Sequence, residues 1–336
     1  MISPKKIVAR LRKKHKDSSA RIFSDLKSLS VVPGGISTQC LALDIAIGRP
    51  GVPRGRLTEI AGLEASSKST LGEHIIAETQ RRGGLALLIE SESAYDIERA
   101  RAIGVNVDEL VIAEPKNMED GFEIIEEAIV PVKPGDLCCV VWDSIAGTQT
   151  AAEEEADYDE SQMGSAARVL ARGLRKLMPI VAEKKVALVF INQMKTNIGG
   201  YGPQYASYGG FAIRYHASLR VQLKKRETEV DVDVPVGIWV NAFTNKNKIA
   251  KPFQEADFLV LFENGIDRYQ DMLDTALDLK VFTKRGGWYS YKDKRFVRRK
   301  VQKVIKEEFG GLQGCRKFLL QQAKAKGLIR SYGEPK

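Results

Sequence analysis

From about residue 36 to residue 265 the chain alternates short continuous apolar runs with longer stretches whose apolar residues recur at helical spacing. The runs are LTEIAG (57–62), LALLIE (85–90), LVIA (110–113), LCCVVWD (137–143) and VALVFIN (186–192), with helical stretches such as 68–82, 118–130 and 162–183 between them. Continuously apolar strands separated by helices predict a mostly parallel sheet covered on both faces, the α/β class. Two later runs, ASLRVQLKK (217–225) and VGIWVNAF (236–243), alternate more and lie closer together, which predicts a hairpin extending the sheet on one side. Residues 1–35 form a basic amphipathic helix, with Ile7, Val8 and Leu11 apolar, and a linker ending near Pro33-Gly34-Gly35. Residues 36–266 make the core. Residues 267–336 make a smaller basic α+β unit with a helix over 269–279, a WYSY strand and basic helices near 297–309 and 314–326. The stretch 194–210, MKTNIGGYGPQYASYGG, is rich in Gly and Tyr and has no buried apolar period, so it is expected to be a functional loop.

The composition, 43% hydrophobic and 28% charged over 336 residues, is that of a soluble globular protein. No apolar run nears the ~20 residues of a membrane-spanning helix, and no apolar stretch follows the basic N-terminus as a secretory signal requires. The cysteines Cys40, Cys138, Cys139 and Cys315 are scattered. Cys138 and Cys139 are strand neighbours and point to opposite faces; they are read as small core hydrophobes of a reducing compartment, and a cytoplasmic protein is expected. The net charge of +9 favours a nucleic-acid partner. It is concentrated at Lys5, Lys6, Arg10, Arg12, Lys13, Lys14 and Lys16, and again at Lys292, Lys294, Arg295, Arg298, Arg299, Lys300, Lys303 and Lys306. Either cluster alone is equally well a solvated helical face.

The first apolar run leads into Gly62-Leu63-Glu64-Ala65-Ser66-Ser67-Lys68-Ser69-Thr70 and then a helix. This is the phosphate loop G-x-x-x-x-G-K-[ST] except at Ser67, where the second glycine belongs. Successive backbone N–H groups and the helix N-terminus cradle phosphates, Lys68 reaches the β- and γ-phosphates, and the Ser69 hydroxyl ligates Mg²⁺. Serine tolerates positive φ less well than glycine, so Ser67 bears on the rate of hydrolysis more than on nucleotide binding. Asp143 ends the LCCVVWD run as the carboxylate that orders the Mg²⁺ shell through water, with Ser144 beside it. Glu90 and Glu92 have period-2 spacing and share one face of an extended strand end; one of them positions the attacking water, or both cap the next helix.

GLEASSKST, LLIESESAYD, VVWDSIAGT, SQMGSAARVLARGLRKL, VFINQ, TNKNKIAKPF and GGWYSYKDKR stand in the order found in bacterial RecA and its phage relatives. The chain resembles that recombinase family over about residues 36–295, and its departures are those of a divergent phage-type member. The resemblance implies a RecA-like P-loop core, ATP and Mg²⁺ as cofactors, and single-stranded DNA, homologous duplex and further copies of the chain in a helical filament as partners, together with single-strand-binding and mediator proteins. It implies that Glu92, not Glu90, is the catalytic glutamate, and that Gln193 senses the γ-phosphate and orders the DNA-binding loop after it. Asp96 keeps the place of an adenine contact, and Arg99 stands where the family often has a tyrosine over the adenine, which a guanidinium can replace by stacking. Lys246 and Lys248 match a pair that reaches the neighbouring subunit's ATP, Tyr215 falls at the subunit interface, and residues 1–35 belong to the protomer–protomer contact.

Two segments are expected at DNA by the same resemblance: 154–161 with Met163 and Gly164, and 194–210. They include Glu160, Ser161, Thr196, Asn197, Ile198, Gly199, Gly200, Gly209 and Gly210, with Arg168, Lys195 and Arg214 holding phosphates. Tyr201, Tyr205 and Tyr208 either stack on bases, contributing roughly 1–3 kcal/mol per base, or pack the loop. The family's acidic C-terminal tail is not in the sequence, which implies less restrained DNA loading. Two rivals remain open: a hexameric helicase on the same core, and a nucleotide-gated DNA-binding or mediator protein with almost no turnover.

Overall fold

The computed structural model describes residues 3–14, 34–133, 135–156, 164–196 and 205–330; the side chains of residues 4, 195, 196 and 205–207 lie outside this description. A basic helix α1 (Pro4–Lys14) comes first, with Ile7 and Leu11 exposed. Then β1 (Gly35–Ile36), α2 (Leu41–Ile47) and β2 (Val52–Pro53) lead into the central strand β3 (Arg56–Gly62) and helix α3 (Lys68–Arg81). The core continues through β4 (Leu85–Glu90), α4 (Ile97–Ile103), β5 (Val111–Ala113), α5 (Met118–Ile129), β6 (Cys138–Asp143), α6 (Ala151–Glu155), α7 (Ser165–Lys184) and β7 (Ala187–Thr196). After β8 (Tyr205–Ser207) and α8 (Phe211–His216) come β9 (Leu219–Asp231), β10 (Val234–Asn247), β11 (Glu255–Leu261) and β12 (Gly265–Ile266). The last part holds α9 (Arg268–Asp278), β13 (Thr283–Arg285), β14 (Trp288–Tyr291), β15 (Lys294–Phe296), α10 (Val301–Phe309) and α11 (Leu312–Ala325).

The central sheet has the order β12-β11-β10-β9-β3-β7-β6-β4-β5. It is parallel from β9 to β5 and antiparallel from β9 to β12. The parallel part comes from the continuous apolar runs, which bury both faces. Side-chain alternation sends Cys139, Val141, Val189 and Ile60 into one core cluster and Cys138, Val140, Trp142 and Phe190 into the other. Phe122, Trp142 and Phe190 meet edge to face with centroids 5.3–6.4 Å apart, a geometry worth roughly 0.5–1.5 kcal/mol per pair beyond burial. The backbones of α5 and α7 approach these rings because Gly121 and Gly173 carry no Cβ; one added there would lie 2.5 Å from Trp142 or Phe122. No helix among the described residues is long and apolar enough to cross a membrane.

A third cluster joins Leu41 of α2 to α9–α11 and the three-stranded sheet β13-β14-β15. Buried Asp271 of α9 accepts the Leu41 and Ala42 N–H groups at 2.6 and 3.0 Å, so one carboxylate satisfies the start of α2. Burial lifts its pKa to about 6. Arg316 of α11 pairs with buried Asp44 of α2, fastening the same two regions a second time.

The structure has the mostly parallel α/β sheet expected from the pattern. The 217–243 hairpin is β9 and β10, and it goes on into β11 and β12, which the pattern did not single out. The loop expectation for 194–210 is corrected at both ends. Strand β7 runs on to Thr196 and β8 pairs back on it, Met194 opposite Ser207 and Thr196 opposite Tyr205. A two-stranded ribbon is held by backbone pairing, so an apolar period gives no warning of it.

Candidate functional site

The expected phosphate-site residues gather at the carboxyl ends of the parallel strands, where open α/β sheets bind ligands. Gly62 ends β3 opposite Gln193 of β7, and Asp143 ends β6 opposite Glu90 of β4. Gly62 has no substitute there: a Cβ would lie 2.4 Å from the Ser66 hydroxyl and 2.7 Å from the Leu223 carbonyl. Leu63, Glu64 and Ala65 form the exposed rim, and buried Ser66 donates to the Leu63 carbonyl at 2.7 Å. Lys68 donates to the same oxygen at 2.8 Å. Burial holds the Lys68 ammonium below its ordinary pKa, while Asp143, Glu92 and Glu64 pull it back up. Ser67 adopts the left-handed conformation at φ 64° immediately before α3, and Ala65 does so at φ 55°. A side chain in that region costs roughly 1–2 kcal/mol relative to glycine.

Asp143 is half-buried and hydrogen-bonded by the Ser69 side chain, and its pKa is raised to about 6, chiefly by burial and then by Glu92 and Glu90. A carboxylate kept from water beside a hydroxyl and a helix N-terminus is stabilised by a bound cation, so Ser69 and Asp143 fit a Mg²⁺ ion. Among the described residues no cluster of three or more His, Cys, Asp or Glu side chains forms a self-contained metal site. Any ion would therefore share its shell with phosphate and water.

Glu90 and Glu92 do not share a face. Strand β4 stops at Glu90, whose buried carboxylate turns inward and accepts the N–H groups of Glu92 at 3.0 Å and Ser93 at 2.8 Å. Glu92 is exposed, and its Oε1 accepts the Ser144 hydroxyl at 2.6 Å and the Gln193 amide at 3.1 Å. Ser144 is itself fixed by Ser91, whose hydroxyl takes its N–H at 2.9 Å and donates to its carbonyl at 2.8 Å. Glu92 thus joins the ends of β4 and β6 to the strand that runs toward 197–204. Asp96 caps α4 by accepting the Arg99 N–H at 3.0 Å. The Arg99 guanidinium bonds to Glu73 and Thr70 of α3.

Of the residues expected at DNA, Glu160, Ser161, Met163, Asn197, Ile198, Gly199, Gly200 and Tyr201 lie outside the described residues, as do the side chains of Lys195, Thr196 and Tyr205. The ends of the first segment are clasped: Glu153 completes a capping box with Thr150 and accepts the Ser165 hydroxyl at 2.9 Å. Gly164 starts α7 at φ 77°, and Arg168 stands exposed one turn on. The second segment returns through Tyr208, whose ring is half-buried against the cluster holding Leu170 and Ile213. Gly209 follows at φ 81°, where a Cβ would lie 2.4 Å from Leu170, and Gly210 at φ 63° begins α8. Arg214 is half-buried with its guanidinium 5.9 Å from the Phe211 ring centroid, while Tyr215 is 77% exposed.

Lys246 and Lys248 stand apart from the phosphate loop. Lys246 pairs with Arg220 of β9, which neighbours Glu59 of β3, three residues before Gly62. That is about 10 Å toward the other end of the sheet and two strands aside. Lys246 donates to the Arg214 and Tyr215 carbonyls, capping α8; Lys248 is exposed.

Two groups escaped the sequence reading. Glu59 is fully buried, pairs with Arg220 and accepts the Asn192 amide at 2.9 Å, while the same amide holds the Tyr208 carbonyl at 3.0 Å. A lone carboxylate inside the apolar run LTEIAG was its available signal. Glu73 had none, because its partner Arg99 is distant in sequence.

The family model described as the RecA N-terminal domain matches residues 5–267. The Protein RecA of Fusobacterium nucleatum is 40% identical over 259 residues, 77% of this chain and 68% of that protein. The Protein RecA of Campylobacter jejuni strain 81-176 is 39% identical over 262 residues, 77% of this chain and 76% of its own length. That of Aquifex aeolicus is 40% identical over 275 residues, covering 81% and 79%.

Proposed function

The chain belongs to the RecA family, and from that premise we propose that it is an ATP-dependent recombinase that assembles on single-stranded DNA, pairs it with homologous duplex and exchanges strands. The observation that carries this reading is the double contact of Glu92 with Ser144 and Gln193. It connects the place where a γ-phosphate would sit with the strand entering the second expected DNA segment, so that occupancy at one end biases order at the other.

The backbone N–H groups of residues 63–69 and the start of α3 bind the triphosphate, and Lys68 leaves the Leu63 carbonyl to neutralise its outer oxygens. Ser69, and Asp143 through water, would hold Mg²⁺, which when bound would offset charge on the phosphates. Glu92 orients the attacking water, and Gln193, shared between carboxylate and phosphate, reports nucleotide state to β7. Lys246 and Lys248 are too far from their own phosphate loop to serve it, which supports a role at a neighbouring copy's nucleotide. Exposed Tyr215 and Phe211, 77% and 82% accessible, suit that same contact. Arg168, Arg214 and the backbones of both segments hold DNA phosphates without reading sequence.

A second reading, a nucleotide-gated DNA binder with little turnover, is favoured by one observation: Ser67 occupies a left-handed position. DNA-stimulated ATP hydrolysis measured beside strand exchange separates the two, and exchange with negligible turnover supports the second. For either, Lys68→Ala is expected to abolish nucleotide-dependent assembly on single-stranded oligonucleotides. Assembly and DNA affinity equal to wild type in that variant would sink both.

A further inference from the structure

Strand β11 of the core and helix α9 of the last region carry carboxylates toward one another. On β11, Glu255 and Asp257 are two residues apart and share a face of the strand. The register sets Phe243 and Asn241 of β10 opposite them, with Trp239 two residues further along. The Asn241 amide donates to Asp257 at 2.8 Å and to Glu255 at 3.3 Å, which holds both carboxylates on that side. On α9, Asp274 and Asp278 are four residues apart and lie on one side of the helix. The two walls are within electrostatic reach: burial first, and then Asp257 across the gap, raises the Asp278 pKa. Burial raises that of Asp274 too, against a hydrogen bond from Gln270 and the charge of Arg298, and Asp278 adds to the rise.

Between these walls is a cleft of about 550 Å³, the size of a small-molecule site. All four carboxylates line it and, among the described residues, no lysine or arginine does. Arg226 approaches Asp257 at 3.7 Å, but both side chains are half exposed and such a pair is weak. Most of the remaining lining is apolar, including Ile45, Leu279 and Leu328, with half-buried Trp239 among them. The Trp239 indole N–H donates to Glu229 at 2.7 Å, which fixes the ring. Thr275, 3% exposed, lines the same cleft from α9, and its hydroxyl has no hydrogen-bond partner, a deficit that a ligand donor would remove. On a chain of net charge +9, four carboxylates around one cleft are a local exception. Among the described residues no three acidic groups come close enough to chelate one ion. A compact metal ion therefore does not suit the cleft, whereas a cation with its charges spread along an apolar chain does. We propose that this cleft binds a linear aliphatic polyamine. Its ammonium groups pair with carboxylates of both walls, and its methylene segments lie against the apolar lining and the Trp239 ring. The Thr275 hydroxyl accepts from an ammonium N–H. The cleft shares no lining residue with the phosphate loop, so the site stands apart from the nucleotide reading.

The test is isothermal titration of the full chain with spermidine, putrescine, Mg²⁺ and tetralysine at constant ionic strength. Nucleotide and DNA are left out, because both are polyanions that bind polyamines themselves. Spermidine is expected to bind saturably at a single site and to change the tryptophan emission, a change that Trp239→Phe removes. Putrescine, with one charge fewer, is expected to bind about tenfold more weakly. Combining Asp257→Asn with Asp278→Asn takes one exposed carboxylate from each wall and is expected to weaken spermidine by about tenfold or more. Thr275→Val removes the hydroxyl at nearly constant volume. It is expected to weaken spermidine by about fivefold and to leave the urea midpoint of the free chain unchanged or higher, since the hydroxyl has no partner to lose. A wild-type chain without saturable spermidine binding overturns the proposal, as does a double variant that binds spermidine like wild type. Mg²⁺ that binds the same site as tightly as spermidine would reveal a plain counterion atmosphere. Tetralysine that binds more tightly than spermidine would give the cleft to a basic segment of a protein. Either result overturns the assignment to a polyamine.

Discussion

Two arginine–glutamate pairs flank the P-loop strand and helix, and they are built for opposite purposes. In the sheet, Glu59 is 0% and Arg220 14% exposed, and the carboxylate takes a second bond from Asn192. At the rim of the phosphate-loop cleft, Glu73 is 8% and Arg99 28% exposed, and burial lifts the Glu73 carboxyl to about 7 while Arg99 opposes the lift. The first pair links three strands inside the sheet. The second joins two helices and a turn at the edge of the cleft that the phosphate loop lines. Burial decides whether a charge pair fastens a fold or furnishes a site, because only the partly wet pair can be loosened without leaving a stranded charge.

The largest effect is expected from Arg220→Met. It strands Glu59 in the sheet and should cost about 3–5 kcal/mol in urea unfolding, most of it recovered when Glu59→Leu is added. A single variant as stable as wild type would remove the contrast between the pairs. Arg99→Met should cost only about 1 kcal/mol, since the pair is partly solvated and Glu73 can escape by taking up a proton. A cost equal to that of Arg220→Met would show the rim pair to be as structural as the inner one.

The smallest effect is in the pH dependence of stability. Glu73 is faced by Arg99 from α4, by Asp143 from β6, by Asp96 and by the Tyr95 ring, and its raised pKa means that the folded chain binds the proton more tightly than the unfolded one. Its contribution is full below the unfolded value of about 4.3 and is lost as pH rises through about 7. Asp143 and Asp271, each lifted to about 6, change in the same sense. Glu73→Gln should therefore flatten, without abolishing, the fall in stability between about pH 5 and about pH 8. Parallel curves for the two proteins would place the titration elsewhere.

The sheet and the phosphate loop were legible because both are written locally. A continuous apolar run, the five residues 63–67 and a helix follow one another, and Asp143 closes the run beside them. Glu90 and Glu92 were misjudged from residues alone because spacing assumes that the strand continues, whereas the chain turns at Glu90 to satisfy three backbone N–H groups. The β7–β8 ribbon escaped because backbone pairing leaves no apolar period in the sequence. Both arginine pairs escaped for another reason: Glu59 with Arg220 and Glu73 with Arg99 are contacts between separate elements, and no local period encodes which side chains two elements will share. The three-stranded sheet of the last region was visible only as WYSY, its flanking strands being short and charged.

The placement of Lys246 and Lys248 has a consequence for symmetry. They lie toward the amino ends of the parallel strands, and the phosphate loop lies at the carboxyl ends. A pair of copies related by a two-fold axis can exchange these contacts only if both places lie in one self-complementary face. If the lysines instead serve a neighbour's nucleotide head to tail, each copy gives on one side and receives on another. The contact is then heterologous and repeats with no built-in last member, unless a rotation happens to close it into a ring.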